Sequence, residues 1–200
     1  MADDSSTDKL RLFIAIPVPE PVRDEIIRVQ REMQPLAPHG AARWTRPDQF
    51  HLTLRFLGDV PVAGLEQLKE SVNAVCRSAR SLQLRAGGIG FFPNPHSPRV
   101  VWVGIDDQAG LLDDLQKRIE TAVRPFTAEP GEKHFSGHVT LGRLKNLKPP
   151  DTRKLAAHAQ TVKDRMFGEW MAHEIEIIRS ELSPGGARHT TLAAFRLGAV

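Results

Sequence analysis

HLTLRFLG at residues 51–58 and HVTLGRL at residues 138–144 decide how this chain is read. Each opens His-x-Thr-Leu and then alternates, the period-two pattern of a half-buried strand. Successive side chains of a strand point to opposite faces. The first stretch is therefore expected to carry His51, Thr53 and Arg55 on one face and Leu52, Leu54 and Phe56 on the other. In the second, His138 and Thr140 oppose Val139 and Leu141. The apolar faces can pack under helices, leaving the polar faces to line a groove.

The surrounding segments supply those helices. LRLFIAIPV (10–18) reads as a buried strand, and VRDEIIRVQREM (22–33) as a helix with Val22, Ile26, Val29 and Met33 on one side. RWT leads into the first motif. VAGLEQLKESVNAVCRSA follows it as a helix presenting Leu65, Leu68, Val72 and Val75. SLQLRAGGIGFF (81–92) and RVVWVGI (99–105), joined by the proline-broken loop PNPHSP, read as a strand pair. The second half repeats the order. A helix striped with Leu111, Leu112, Leu115, Ile119 and Val123 precedes HVTLGRL, DTRKLAAHAQTV (151–162) is helical, and GEWMAHEIEIIRSEL and HTTLAAFRL are strands. This predicts an α+β protein of two similar lobes, each a sheet with helices on one side. Residues 1–8 are expected to be a disordered tail and 9–200 one bilobal domain.

Composition narrows the function classes. The chain has 200 residues, 40% of them hydrophobic and 26% charged, as in an ordinary folded domain. A net charge of +3 permits an acidic partner without demanding one. Cys76 is the lone cysteine, so no intramolecular disulfide or thiolate cluster can form, and its place on a helix's apolar side makes it structural. MADDSSTDKL does not resemble a secretion signal, and no segment nears the ~18 apolar residues of a membrane span. A cytoplasmic monomer without membrane association is expected.

Two histidines and two threonine hydroxyls converging from opposite walls of a groove suit phosphoryl chemistry without a metal. One neutral imidazole takes a proton from a nucleophile, while one imidazolium gives a proton to the leaving oxygen. An ordinary pKa near ~6.5 lets histidine do both near neutrality. Hydroxyls can donate to the non-bridging phosphate oxygens. The residues alone leave a rival open, because His189 in HTTL fits the pattern fully and His134 fits it loosely. No comparable strand–helix unit separates His138 from His189, which favours pairing His51 with His138.

At these motifs the sequence resembles the two-histidine (2H) phosphoesterases, specifically the bacterial RNA 2′,3′-cyclic phosphodiesterases, also called 2′-5′ RNA ligases. The likeness runs over residues 10–198. It includes RLFIAIPVPE, W-x₆-HLTLRFLG, GIGFFPNPHSPRVVWVGI, F-x₂-HVTLGRL and SELSPGGARHTTLAAFRL. The resemblance implies a bilobal LigT-like fold with two pseudo-symmetric lobes, antiparallel sheets, outer helices and a central cleft. It implies that His51 protonates the departing 3′ oxygen, that His138 activates water, and that Thr53, Thr140 and Arg143 hold the phosphate. Strict alternation would point Arg143 away from His138, so its role requires a bulge near Gly142. Gly137 stands where proline often precedes the second histidine. His189 stands where the family commonly has tyrosine, which makes it a structural substitution whose replacement should be nearly silent.

The activity implied is hydrolysis of an RNA 2′,3′-cyclic phosphate end to a 2′-phosphate, with no cofactor or metal. Substrates could be tRNA fragments or small cyclic nucleotides. ATP-independent 2′-5′ ligation at the same site and a non-catalytic RNA-binding module are the alternatives; no GxxxxGK[ST] loop is present. Trp44, Arg46, Phe92 and Arg99 are candidate RNA contacts, the aromatics by stacking and the arginines on flanking phosphates. Phe91 and Trp102 are expected in the core.

Overall fold

The computed structural model describes residues 8–131, 134–183 and 186–198. Residues 1–7 of the expected tail lie outside them. The described residues form nine strands, β1 (Lys9–Pro17), β2 (Ala42–Trp44), β3 (His51–Pro61), β4 (Leu82–Phe92), β5 (Val100–Asp106), β6 (His138–Leu144), β7 (Met166–Ala172), β8 (Glu174–Ser183) and β9 (Gly186–Arg196). The helices are α1 (Glu20–Met33), α2 (Leu65–Arg77), α3 (Leu111–Val123) and α4 (Pro149–Thr161). The strands form two antiparallel sheets, one ordered β3-β1-β8-β9 and the other β2-β6-β5-β4-β7. The expected two-lobed α+β architecture, with a sheet and helices in each lobe, is what forms.

The lobes are not the two halves of the sequence. α1 follows β1 of the first sheet yet packs on β7 of the second, while α3 follows β5 of the second sheet and packs on β3 of the first. α2 also covers the first sheet and α4 the second. Helix periodicity shows which face of α1 is apolar but not which sheet it meets. The choice is made by tertiary packing, since one continuous core takes in Val22, Ile26 and Val29 together with Leu52, Val103 and Phe167. Cys76 is fully buried in that core, as expected. β3 and β6, the two motif strands, lie against each other where the sheets meet.

Both motif strands are bulged, and the bulges determine what faces the cleft. In β3, Thr53 pairs with Ala15 but Arg55 pairs with Ile14, so one residue is extra at Leu54. In β6, Thr140 pairs with Trp102 and Gly142 with Val101, leaving Leu141 extra. A bulge reverses the facing of everything beyond it. Phe56, not Arg55, therefore shares the face of His51 and Thr53, and is 47% exposed. Arg55 turns to the helix side, 5% exposed, where Nε lies 2.6 Å from a Glu120 carboxylate oxygen. Its other nitrogens donate to the carbonyls of Pro130 (3.0 Å) and Glu129 (2.6 Å). Strand alternation alone misplaced Arg55 and Phe56. No helix among the described residues is long and apolar enough to cross a membrane.

Candidate active site

His51 opens β3 and His138 opens β6, one from each sheet. Both rings are half-buried. Nδ1 of His138 lies 2.7 Å from the Ser136 carbonyl oxygen. A carbonyl can only accept, so Nδ1 carries a proton, and in the neutral ring the lone pair is on Nε2. The Gln49 backbone, two residues before His51, favours the charged form of that ring. Each ring also rests on aromatic neighbours. Phe13 lies 4.7 Å from His51, while Phe92 and Trp102 lie 5.0 and 6.0 Å from His138.

The electrostatics differ between the two. His51 is pushed down from 6.5 to about 4, chiefly by burial and then by the charge of His189, with a smaller contribution from His138. His51 is neutral near pH 7 while the cleft is empty. Thr53 and Thr140 stand on the same faces as their histidines, half-buried, with no hydrogen-bond partner for either hydroxyl among the described residues.

The bulge in β6 resolves the question of Arg143. Arg143 pairs with Val100, which lies on the same face of β5 as Trp102, the partner of Thr140. The bulge thus brings Arg143 round to the side of Thr140 and His138. Opposite it on β2 stands Arg43, its direct cross-strand neighbour. Gly142 is needed at this crossing, because a Cβ there would sit 2.9 Å from the Trp44 ring. Trp44, a candidate RNA contact, is partly buried and packs against the core on the face opposite Arg43.

The remaining candidates separate. Phe92 reaches the site, stacked on Trp102 at 5.0 Å and edge-on to His138. Trp102 was expected in the core but is only partly buried and lies flat across Gly90, where a Cβ would come 2.1 Å from its ring. Phe91, at 8% exposure, is in the core as expected. Arg46 is paired with Asp48, Nε donating at 3.0 Å. Arg99 stands exposed just before β5.

His189 departs most from expectation. By register it and His51 occupy diagonally opposite corners of the first sheet, yet their rings are 5.4 Å apart. The sheet is coiled strongly enough for the corners to meet over Phe13, which lies 5.0 Å from His189. Burial holds His189 below its ordinary pKa, opposed by the Asp48 carboxylate. Gln49 clips the corner by donating its side-chain amide to the Ala187 carbonyl. A 420 Å³ cavity lined by Arg46, Asp48, Gln49, Arg188 and His189 opens beside it. Glu176 was also missed: it pairs with Ala15, the cross-strand partner of Thr53, and is raised by burial and by Glu174. Among the described residues no group of three His, Cys, Asp or Glu side chains is placed to hold a metal ion.

Comparison with known proteins fits this geometry. The profile described as LigT like Phosphoesterase matches twice, over residues 16–102 and 103–188, once for each His-x-Thr motif. A protein of Methanothermobacter thermautotrophicus named RNA 2′,3′-cyclic phosphodiesterase is 30% identical over 94% of this chain and 100% of its own. One of the same name from Thermus thermophilus is 32% identical over 94% of this chain and 90% of its own. A crystal structure of a Thermus thermophilus protein superposes with a TM-score of 0.76 at 30% identity, covering 94% of this chain and 98% of that one. Escherichia coli LigT complexed with 3′-AMP shares the fold, with a TM-score of 0.74 at 23% identity over 95% of this chain and 99% of its own.

Proposed function

This chain belongs to the LigT-like phosphoesterase family, and on that premise we propose that it hydrolyses RNA 2′,3′-cyclic phosphate ends to 2′-phosphates by metal-independent His/His catalysis. The observation that carries the reading is the matched pair of imidazoles. They enter from different sheets, and each is followed two residues on by a threonine hydroxyl with no hydrogen-bond partner among the described residues.

His138, with Nδ1–H held by Ser136 and Nε2 free, takes a proton from water as the water oxygen attacks phosphorus. The bond from phosphorus to the 3′ oxygen breaks, and that oxygen receives the proton from His51. His51 is neutral in the empty cleft, so binding of the anionic substrate is accompanied by uptake of a proton from solvent at this ring. The phosphate's negative charge offsets the burial that otherwise disfavours the imidazolium. After the step His138 holds the added proton and His51 has lost one; exchange with solvent resets both. Thr53, Thr140 and Arg143 contribute donors to the non-bridging oxygens.

The test is a product assay on RNA ending in a 2′,3′-cyclic phosphate, with a chelator present. A 2′-phosphate product is expected, and His51→Ala or His138→Ala should each lower kcat by at least ~10² without unfolding the protein. Full activity in either variant defeats the assignment. Joined strands in place of the monoester would show that an RNA 5′-hydroxyl replaces water as nucleophile.

A further inference from the structure

Beyond the cleft, the second sheet ends in a cavity of about 790 Å³ between the β4–β5 loop, the β6–α4 loop and the first turns of α4. Arg99, Lys145 and Arg153 line it together with His96, and no carboxylate does. None of these three cations has an ion pair or hydrogen-bond partner among the described residues. What distinguishes them is that three cations gather around one cavity whose lining holds no acid, whereas other cations stand beside a carboxylate. Arg28 pairs with Glu25, Lys69 with Glu66, Arg85 with Glu169 and Arg118 with Asp114. Asp151, the acid nearest in sequence, accepts from the Lys148 backbone N–H as the cap of α4.

The cavity lies just past the end of β6, the strand that carries His138. Arg143 is the last cleft-facing residue of β6, and Lys145 follows two positions later, about 7 Å along the chain at strand spacing. The Leu144 N–H bonds the Arg99 carbonyl at 2.8 Å, and the Lys145 N–H bonds the Ala41 carbonyl at 2.8 Å, so β2, β5 and β6 deliver their cations to one end of the sheet. Arg43 and Arg143, moreover, face each other directly across two strands. Like charges so placed destabilise a sheet unless an anion lies between them.

We infer that this line of cations, Arg43 and Arg143 followed by Arg99, Lys145 and Arg153, is a track for the phosphate backbone of a single-stranded RNA whose terminal cyclic phosphate occupies the cleft. The inference rests on the hydrolase reading and deepens it: the preferred substrate is a polynucleotide, not a mononucleotide. From His138 to Lys145 the strand covers about 23 Å, a distance a mononucleotide cannot bridge.

The test compares a 2′,3′-cyclic mononucleotide with a 2′,3′-cyclic-phosphate oligonucleotide of about eight residues, a length within the usual range of single-strand grooves. Wild type should turn over the oligonucleotide with the higher kcat/KM. The Lys145→Ala/Arg153→Ala double variant should lose about tenfold on the oligonucleotide, with its dependence on log salt shallower by about 1.4, and keep its rate on the mononucleotide. Lys145→Arg with Arg153→Lys should preserve the preference. Equal turnover of both substrates by wild type, or a proportional loss on both in the double variant, overturns the track. If neither substrate is cleaved, the hydrolase reading fails, and fluorescence anisotropy with the labelled oligonucleotide judges the track: undiminished binding by the double variant rejects it, and weakened binding upholds it.

Discussion

Acidifying the empty cleft should destabilise the protein through His51. Its pKa is about 4 in the folded state against 6.5 for an unperturbed side chain. A histidine depressed by folding stabilises the native state only while it is neutral. Its contribution is complete above pH 6.5, is lost as the unfolded chain takes up a proton below that, and stops changing below about 4. At ~1.4 kcal/mol per pKa unit the whole interval corresponds to about 3 kcal/mol, and residual exposure of the ring reduces this to about 2. Urea unfolding in phosphate-free buffer at about pH 7.5 and about pH 4.5 measures it. Wild type should lose about 2 kcal/mol more than His51→Gln over that interval, carboxylate titrations being common to both and cancelling in the difference. Inorganic phosphate should shrink the loss in wild type by favouring the imidazolium, and should do so less in the variant. Parallel pH profiles for the two proteins would refute the reasoning, because they would mean that burial and neighbouring charge do not hold the ring neutral.

Replacing His189 with Phe removes a nearby positive charge while keeping a ring, so the pKa of His51 should rise towards 6.5; NMR titration of the imidazole reads this directly. Arg55→Met should destabilise the protein by about 3 kcal/mol in urea unfolding, since Glu120 and two carbonyls lose a buried partner. Gly90→Ala should displace the Trp102 ring, which would otherwise overlap the new Cβ at 2.1 Å. Tryptophan fluorescence should then shift, and kcat should fall as His138 loses its aromatic support.

The glycine at 137 shows how a local departure becomes readable once packing is known. A Cβ there would sit 2.4 Å from the Ile105 carbonyl oxygen, so the close approach of β5 requires glycine immediately before His138. No sequence pattern carries that distance. Phe13 was hidden for a related reason. It lies in LRLFIAIPV, a run apolar at nearly every position, where no alternation marks which residues face the cleft.

Element type was legible in the chain because it depends on neighbours a few residues apart: the stripes of α2 and α3, the strand runs, and the His-x-Thr alternation as far as Thr53 and Thr140. The doubled motif also pointed to a two-lobed phosphoesterase architecture before any coordinates. What followed the threonines depended on registers between distant segments. One extra residue at Leu54 sends Arg55 into the helix layer and Phe56 to the cleft, and one at Leu141 brings Arg143 round to the face of His138 and Thr140. The exchange of α1 and α3 between sheets, and the coiling that sets His189 beside His51, likewise arise from packing between parts of the chain far apart in sequence. Side-chain periodicity is a local property, whereas pairing register and sheet curvature belong to the assembled core.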